Sequence, residues 1–90
     1  MGAAAVKIKI MPNSPDADLN NIESKAVKII EGKKGRIASK IHEPIAFGLK
    51  AILITFAWTE DADRDALEVE LNKIKDVSSA EIIDFRRAFG

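Results

Sequence analysis

A chain of 90 residues with 14 basic side chains against 14 acidic ones and 47% apolar residues is expected to form one soluble domain, residues 1–90, around a single modest core. It has no cysteine, which excludes a disulfide framework and a thiolate metal site, and its longest strongly apolar run, Ala51 to Trp58, falls far short of the ~20 residues that cross a bilayer. The balanced charge argues against general nucleic-acid binding, and Met1-Gly2-Ala3-Ala4-Ala5 lacks the basic region of a signal peptide, so an intracellular, cytoplasmic protein bound to neither nucleic acid nor membrane is expected.

Ala4 to Met11 alternates, with Val6, Ile8 and Ile10 on one side and Lys7 and Lys9 on the other, the pattern of a half-buried strand. Pro12-Asn13-Ser14-Pro15-Asp16 ends it with turn chemistry. A helix follows, capped by Asp16 or Asp18, with Leu19, Ile22, Ala26, Ile29 and Ile30 as its buried stripe and Lys25, Lys28 and Glu31 outside it. Gly32 is suited to the left-handed position that stops the helix. Arg36 to Ile45 is a weaker strand, with Ile37, Ser39, Ile41 and Glu43 on one alternation and Ala38, Lys40 and His42 on the other. Its Pro44 fits the edge of a sheet. Leu49 to Trp58 is the most apolar strand: Ile52, Ile54, Phe56 and Trp58 line one face and Ala51, Leu53, Thr55 and Ala57 the other, which predicts a central position. Asp61 or Asp63 then caps a second helix with Leu67, Leu71 and Ile74 as its stripe and Lys73 and Lys75 in its last turn. Ala80 to Phe89 is a last strand, where the adjacent Ile82 and Ile83 call for a bulge or a two-sided strand.

The order is β-α-β-β-α-β, with helices of about three to four turns. Two β-α-β units joined by a hairpin give an α+β, ferredoxin-like sandwich: a four-stranded antiparallel sheet with two helices on one face and the other face open.

No catalytic set emerges. His42 is the only histidine, so a multi-imidazole metal site cannot be built within one chain, and the neighbouring Glu43 points to the other side of a strand. Asp61, Asp63 and Asp65 start like a calcium loop, but Ala66 stands where a glycine is needed and Asn72 where a glutamate is needed. Helix capping accounts for those aspartates. Gly32-Lys33-Lys34-Gly35 lacks the spacing of a phosphate-binding loop and follows a helix. An RNA-recognition sheet needs exposed aromatics on its central strands, where this chain offers Lys7, Lys9, Ala51, Leu53 and Thr55. An acylphosphatase needs a glycine-rich cradle after the first strand, where this chain has Pro12-Asn13-Ser14-Pro15.

Two features are not explained by folding alone. Phe47 sits between Ala46 and Gly48 in a segment where Pro44 fixes φ and Gly48 permits a tight reversal. Its ring either folds back into the core or is displayed as an anchor for a partner. Arg86-Arg87 is either a solvated strand end or a tool for meeting phosphate or carboxylate. Charge is also uneven: residues 1–45 hold eight basic and five acidic side chains, residues 46–90 six and nine, which suits oriented docking on a protein.

The strand Val6–Met11 with Pro12, the helix start Ser14-Pro15-Asp16-Ala17-Asp18-Leu19, the segment Glu43-Pro44-Ile45-Ala46-Phe47-Gly48-Leu49 and the ending Asp84-Phe85-Arg86-Arg87 together resemble the archaeal translation elongation factor 1-beta family. The resemblance covers nearly the full chain and is most specific at Glu43–Leu49. It implies a guanine-nucleotide exchange factor for the GTPase elongation factor 1-alpha, working in translation elongation. Such a factor is not an enzyme and needs no cofactor or metal of its own. The implied partner is the GTPase in its GDP-bound and nucleotide-free states, met by a monomer. Phe47, between Ala46 and Gly48, is implied to insert into the GTPase. Arg87, where the family carries a basic residue that is often lysine, is implied to disturb the magnesium and phosphate region. Arg86 contends for that role, and Ala88-Phe89-Gly90 follows where the family pattern departs. In this topology the hairpin tip and the start of the last strand are expected near opposite ends, so the engaged surface is long. The alternative function is a ferredoxin-like small-molecule-binding regulatory domain that pairs edge to edge, and a third is a small acylphosphatase-type hydrolase.

Overall fold

The period-two run at the start of the chain becomes a strand with one dry face. In the computed structural model, which describes residues 3–59 and 61–87, β1 (Ala3–Pro12) buries Ala4, Val6, Ile8 and Ile10 and leaves Lys7 and Lys9 half-exposed on its other side. The helix α1 (Leu19–Gly32) starts at Asp18, whose Oδ1 accepts the Asn21 N–H at 3.1 Å. Ile22, Ala26 and Ile30 bury its inner stripe, while Lys25, Lys28 and Glu31 stay exposed.

The end of α1 differs from the expectation for Gly32. Gly32 is the last helical residue, and the left-handed position is taken by Lys34, at φ 72°. The Lys34 N–H donates to the Glu31 carbonyl at 3.0 Å and the Gly35 N–H to the Ile30 carbonyl at 2.9 Å, a Schellman closure. Glycine is needed one residue later. A Cβ at Gly35 would stand 2.5 Å from Ile30 Cγ2 and 3.0 Å from Phe56 Cδ2, so the bare backbone lets the chain turn flat against the core.

β2 (Arg36–Pro44) is an edge strand, as its composition suggests. A register shift between Ile37 and Ser39 breaks its expected alternation. Ile37 pairs with Phe56 on the helix side, together with Lys40 and His42, and Ser39, Ile41 and Glu43 share the open side. β3 (Lys50–Thr59) is central, with Ile52, Ile54, Phe56 and Trp58 buried beneath the helices and Ala51 and Leu53 buried on the opposite face. Trp58 Nε1–H donates to the Lys33 carbonyl at 2.9 Å, which ties the indole to the turn after α1.

In α2 (Arg64–Asn72), Asp63 is the cap and its Oδ1 accepts the Ala66 N–H at 3.0 Å. The helix has nine residues, about two and a half turns rather than three to four. Lys73 is therefore its C-cap and Lys75 lies beyond it, so neither belongs to the last turn. β4 (Val77–Arg87) begins earlier than expected, and Phe89 of the expected strand lies outside the described residues. Its register against β1 shifts between Lys7–Asp84 and Ile8–Ile82, which makes Ile83 the extra residue of a bulge.

The sheet order is β2-β3-β1-β4, antiparallel throughout, with both helices on one face, as the ferredoxin-like reading requires. Helix stripes and the inner faces of β1 and β3 form one core with Phe56 and Trp58 edge to face, ring centroids 5.7 Å apart. The two sheet edges are treated differently. Asn72 accepts the Ala80 N–H at 3.0 Å and donates to the Ala80 carbonyl at 2.9 Å, and Glu68 accepts the Ile82 N–H at 2.7 Å. Side chains of α2 thus occupy the outer backbone groups of β4, which blunts that edge. No described helix is long and apolar enough to cross a membrane.

Candidate functional site

Pro44 and Lys50 are the last paired residues of the β2–β3 hairpin. Beyond them the Ile45 N–H donates to the Leu49 carbonyl at 2.8 Å and the Leu49 N–H to the Ala46 carbonyl at 3.1 Å. Between Ala46 and Leu49 the chain turns on Phe47 and Gly48, both with positive φ, 60° and 76°. Two positive φ values are the signature of a type I′ turn, which suits the twist of a hairpin and normally uses Asn-Gly. Glycine occupies the second position without strain, but a phenylalanine in the first is an outlier. Its ring is not in the core: Phe47 is 93% exposed. Ile45, at 39%, and Ile41, at 52%, continue an apolar path down β2 from the tip. The β1–α1 loop flanks this tip, since a Cβ at Gly48 would stand 3.8 Å from Pro15 Cβ.

The second candidate region is the end of β4. Arg86 faces the open side, paired across the sheet with Ala5, and its Nε lies 3.2 Å from Asp84 Oδ1 and 3.1 Å from Oδ2. Both side chains are well exposed, so this ion pair orients the guanidinium and contributes little to stability. Arg87 pairs with Ala4 and faces the helix side. The two arginines therefore serve opposite faces of the sheet. A third arginine joins them, which sequence reasoning missed: the Arg64 guanidinium carbon lies 4.4 Å from the centroid of the Phe85 ring. A signal for it existed, because Arg64 directly follows the cap Asp63, and a cation there opposes the helix dipole. The same end holds a polar groove of about 630 Å³ between α2 and β4, lined in part by Arg64, Glu68, Ile83 and Phe85.

The register separates the two regions. Arg87 pairs with Ala4, and Ala4 with Trp58, ten residues along β3 from Gly48. At ~3.3 Å per strand residue this is on the order of 33 Å, most of the molecule's longest extent of 42 Å. One part of the expectation is overturned: the start of β4 lies at the same end as the hairpin tip, because β4 runs antiparallel to β1, and it is the end of β4 that lies opposite. Ala46, Phe47 and Gly48 thus form one cluster and Arg86 and Arg87 another, and the structure does not bring the two together.

His42 Nε2 lies 3.0 Å from Glu23 Oε1 and Lys40 Nζ lies 4.0 Å from Glu23 Oε2, a polar seam where β2 meets α1. Among the described residues no three His, Asp or Glu side chains converge as metal ligands would.

Comparison with known proteins places the chain in a family. A family model described as the EF-1 guanine nucleotide exchange domain matches residues 5–88. A protein named elongation factor 1-beta from Methanosarcina barkeri is 35% identical over 97% of this chain and 99% of its own length. Proteins of the same name from Archaeoglobus fulgidus and Methanobrevibacter smithii are 38% and 37% identical, over 93% and 97% of this chain and 96% and 98% of theirs. The match spans both candidate regions and the whole sheet between them, and the chain belongs to the archaeal elongation factor 1-beta family, the guanine-nucleotide exchange factors of elongation factor 1-alpha in translation elongation.

Proposed function

We propose that this chain, acting as a monomer in the cytoplasm, drives GDP release through two separated contacts, with Phe47 as the inserted anchor and Arg87 as the cation that approaches the magnesium and phosphate region of the GTPase. The observation that carries this reading is Phe47: a large apolar ring, 93% exposed, on a turn that normally excludes such a residue. Backbone strain of ~1–3 kcal/mol persists where the surroundings enforce it, and it clusters at functional sites. Ala46 and Gly48 are too small to cover the ring, so its full face is open to a partner's pocket.

Exchange requires no chemical step. The factor must bind the nucleotide-free GTPase more tightly than the GDP-bound form, because only differential affinity shifts an equilibrium, and by reciprocity GDP then binds less tightly when the factor is present. A buried aromatic anchor contributes ~2 kcal/mol or more to such binding. A guanidinium placed where magnesium sits repels the metal and substitutes for part of its charge on phosphate. Arg86 is steered by Asp84 on the open face and Arg87 faces the helix side; the family's basic residue near this end falls on Arg87, which is therefore the residue assigned to the phosphate region.

The test is release of a fluorescent GDP analogue from elongation factor 1-alpha. Phe47→Ala is expected to fold normally and slow stimulated release by roughly 30-fold, the equivalent of ~2 kcal/mol. Arg87→Ala is expected to slow release more than Arg86→Ala. Full activity of both Phe47→Ala and Arg87→Ala would overturn the site assignment.

A further inference from the structure

The helical layer carries a second surface, unrelated to either end of the sheet. A groove of about 470 Å³ runs between α1 and the end of α2, lined by Lys25, Lys28 and Ile29 from α1, by Glu70 from α2, and by its C-cap Lys73 and the following Ile74. Its floor is apolar: Ile74 is buried and Ile29 half-buried, at the seam between the helices. Its rim is cationic. Lys25, Lys28 and Lys73 are exposed, and none of them forms an ion pair among the described residues. The one acid in the groove, Glu70, is already paired with Lys33 at the C-terminus of α1. In a chain of zero net charge this leaves three uncompensated cations around an apolar trough.

Folding explains only part of this arrangement. Lys73 caps α2, where a cation favours the negative end of the dipole. Lys25 and Lys28 lie within α1 at a spacing of three, where like charges repel mildly. Neither forms an ion pair among the described residues. We propose that this groove docks an acidic amphipathic helix from a protein partner, with its apolar residues on Ile29 and Ile74 and its carboxylates against Lys25, Lys28 and Lys73. Two antiparallel helices with a trough between them accept a third helix lengthwise, read through residues at spacings of three and four. The charge complementarity specifies an anion, and the apolar floor specifies protein over nucleic acid, because the groove offers neither an aromatic ring for a base to stack on nor an arginine fork for phosphate.

The experiment uses the full chain labelled with ¹⁵N and an unlabelled synthetic peptide of three to four helical turns, with Leu on one stripe and Glu flanking it. A scrambled peptide of the same composition and a single-stranded oligonucleotide serve as competitors. Saturable amide shifts confined to Lys25–Lys33 and Val69–Ile74, weakening with added salt, are expected for the amphipathic peptide. The double variant Lys28→Glu, Lys73→Glu is expected to weaken that binding by roughly tenfold or more while GDP release stays within about twofold of wild type. Both side chains are exposed, so the variant's own spectrum reports an intact fold. Absence of saturable binding would overturn the proposal. So would equal binding of the scrambled peptide, tighter binding of the oligonucleotide, or indifference to the charge reversal.

Discussion

At the residue scale, Phe47 holds a conformation that its side chain disfavours. An L-residue in the left-handed region costs roughly 1–2 kcal/mol relative to the right-handed one, and asparagine tolerates it far better. Phe47→Asn is therefore expected to raise stability by ~1 kcal/mol, a gain of ~4–8 °C in Tm for a domain of this size, while losing exchange activity. Thermal unfolding followed by circular dichroism, beside the GDP-release assay, checks both signs at once. A Tm that falls would mean that the exposed ring contributes to the fold and that the turn is unstrained. The sequence made Phe47 conspicuous through its small neighbours but left its exposure open. Exposure depends on whether the tip turns toward the helices or away, and the positive φ at Phe47 and Gly48 decides that.

At the element scale, two contacts hold secondary structure in place from outside it. Gly35 closes α1 against Ile30 and Phe56, and its value lies in the absence of a Cβ rather than in a positive φ. Gly35→Ala forces a methyl group into a closed space and is expected to cost ~1–3 kcal/mol in urea denaturation, the usual penalty of overpacking. Gly32→Ala, with nothing within 4 Å of the added atom and a helical position, is expected to be neutral or stabilising by up to ~1 kcal/mol. Asn72 and Glu68 occupy the outer backbone groups of β4, so edge-to-edge pairing of the kind used by metabolite-binding relatives of this fold is blocked on that side. Asn72→Ala is expected to lose ~1–3 kcal/mol and to make sedimentation concentration-dependent as the uncovered edge finds partners. A strictly monomeric variant would show that β4 needs no such cover. Periodicity located both helices, yet it ran α2 too long, because the pull of Asn72 toward Ala80 is a tertiary contact with no local signature.

At the scale of the whole molecule, the sheet acts as a rigid spacer. Phe47 and Arg87 stand at its two ends, on the order of 33 Å apart along β3, so under the proposed function they meet separate regions of the GTPase. Sites that far apart with no shared partner are expected to contribute additively. In a double-mutant cycle on the affinity for nucleotide-free elongation factor 1-alpha, Phe47→Ala and Arg87→Ala should show a coupling energy within ~0.5 kcal/mol of zero. Coupling of ~1 kcal/mol or more would mean that the two contacts depend on one conformational change in the partner. The single tryptophan, buried and bonded to the Lys33 carbonyl, offers a built-in probe that the variants remain folded.

Local chemistry by itself determined the element order, the capping pairs Asp16 or Asp18 and Asp61 or Asp63, the dry faces of β1 and β3 and the central place of β3, because each follows from side-chain period and hydrogen-bonding character within a few residues; the structure then chose Asp18 and Asp63. The family was legible for a related reason: the segment Glu43–Leu49 combines a proline, a glycine and an exposed-type aromatic at fixed spacing, and that combination is rare by chance. Only the tertiary structure decided which turn residue takes the left-handed position, where the bulges in β2 and β4 fall, and which faces Arg86 and Arg87 serve. It also decided that Arg64 joins the arginine end and that two lysines of α1 and the C-cap lysine of α2 surround one apolar groove. These outcomes depend on pairing register and on contacts between residues far apart in the chain, and a one-residue shift in register reverses the face of every side chain beyond it.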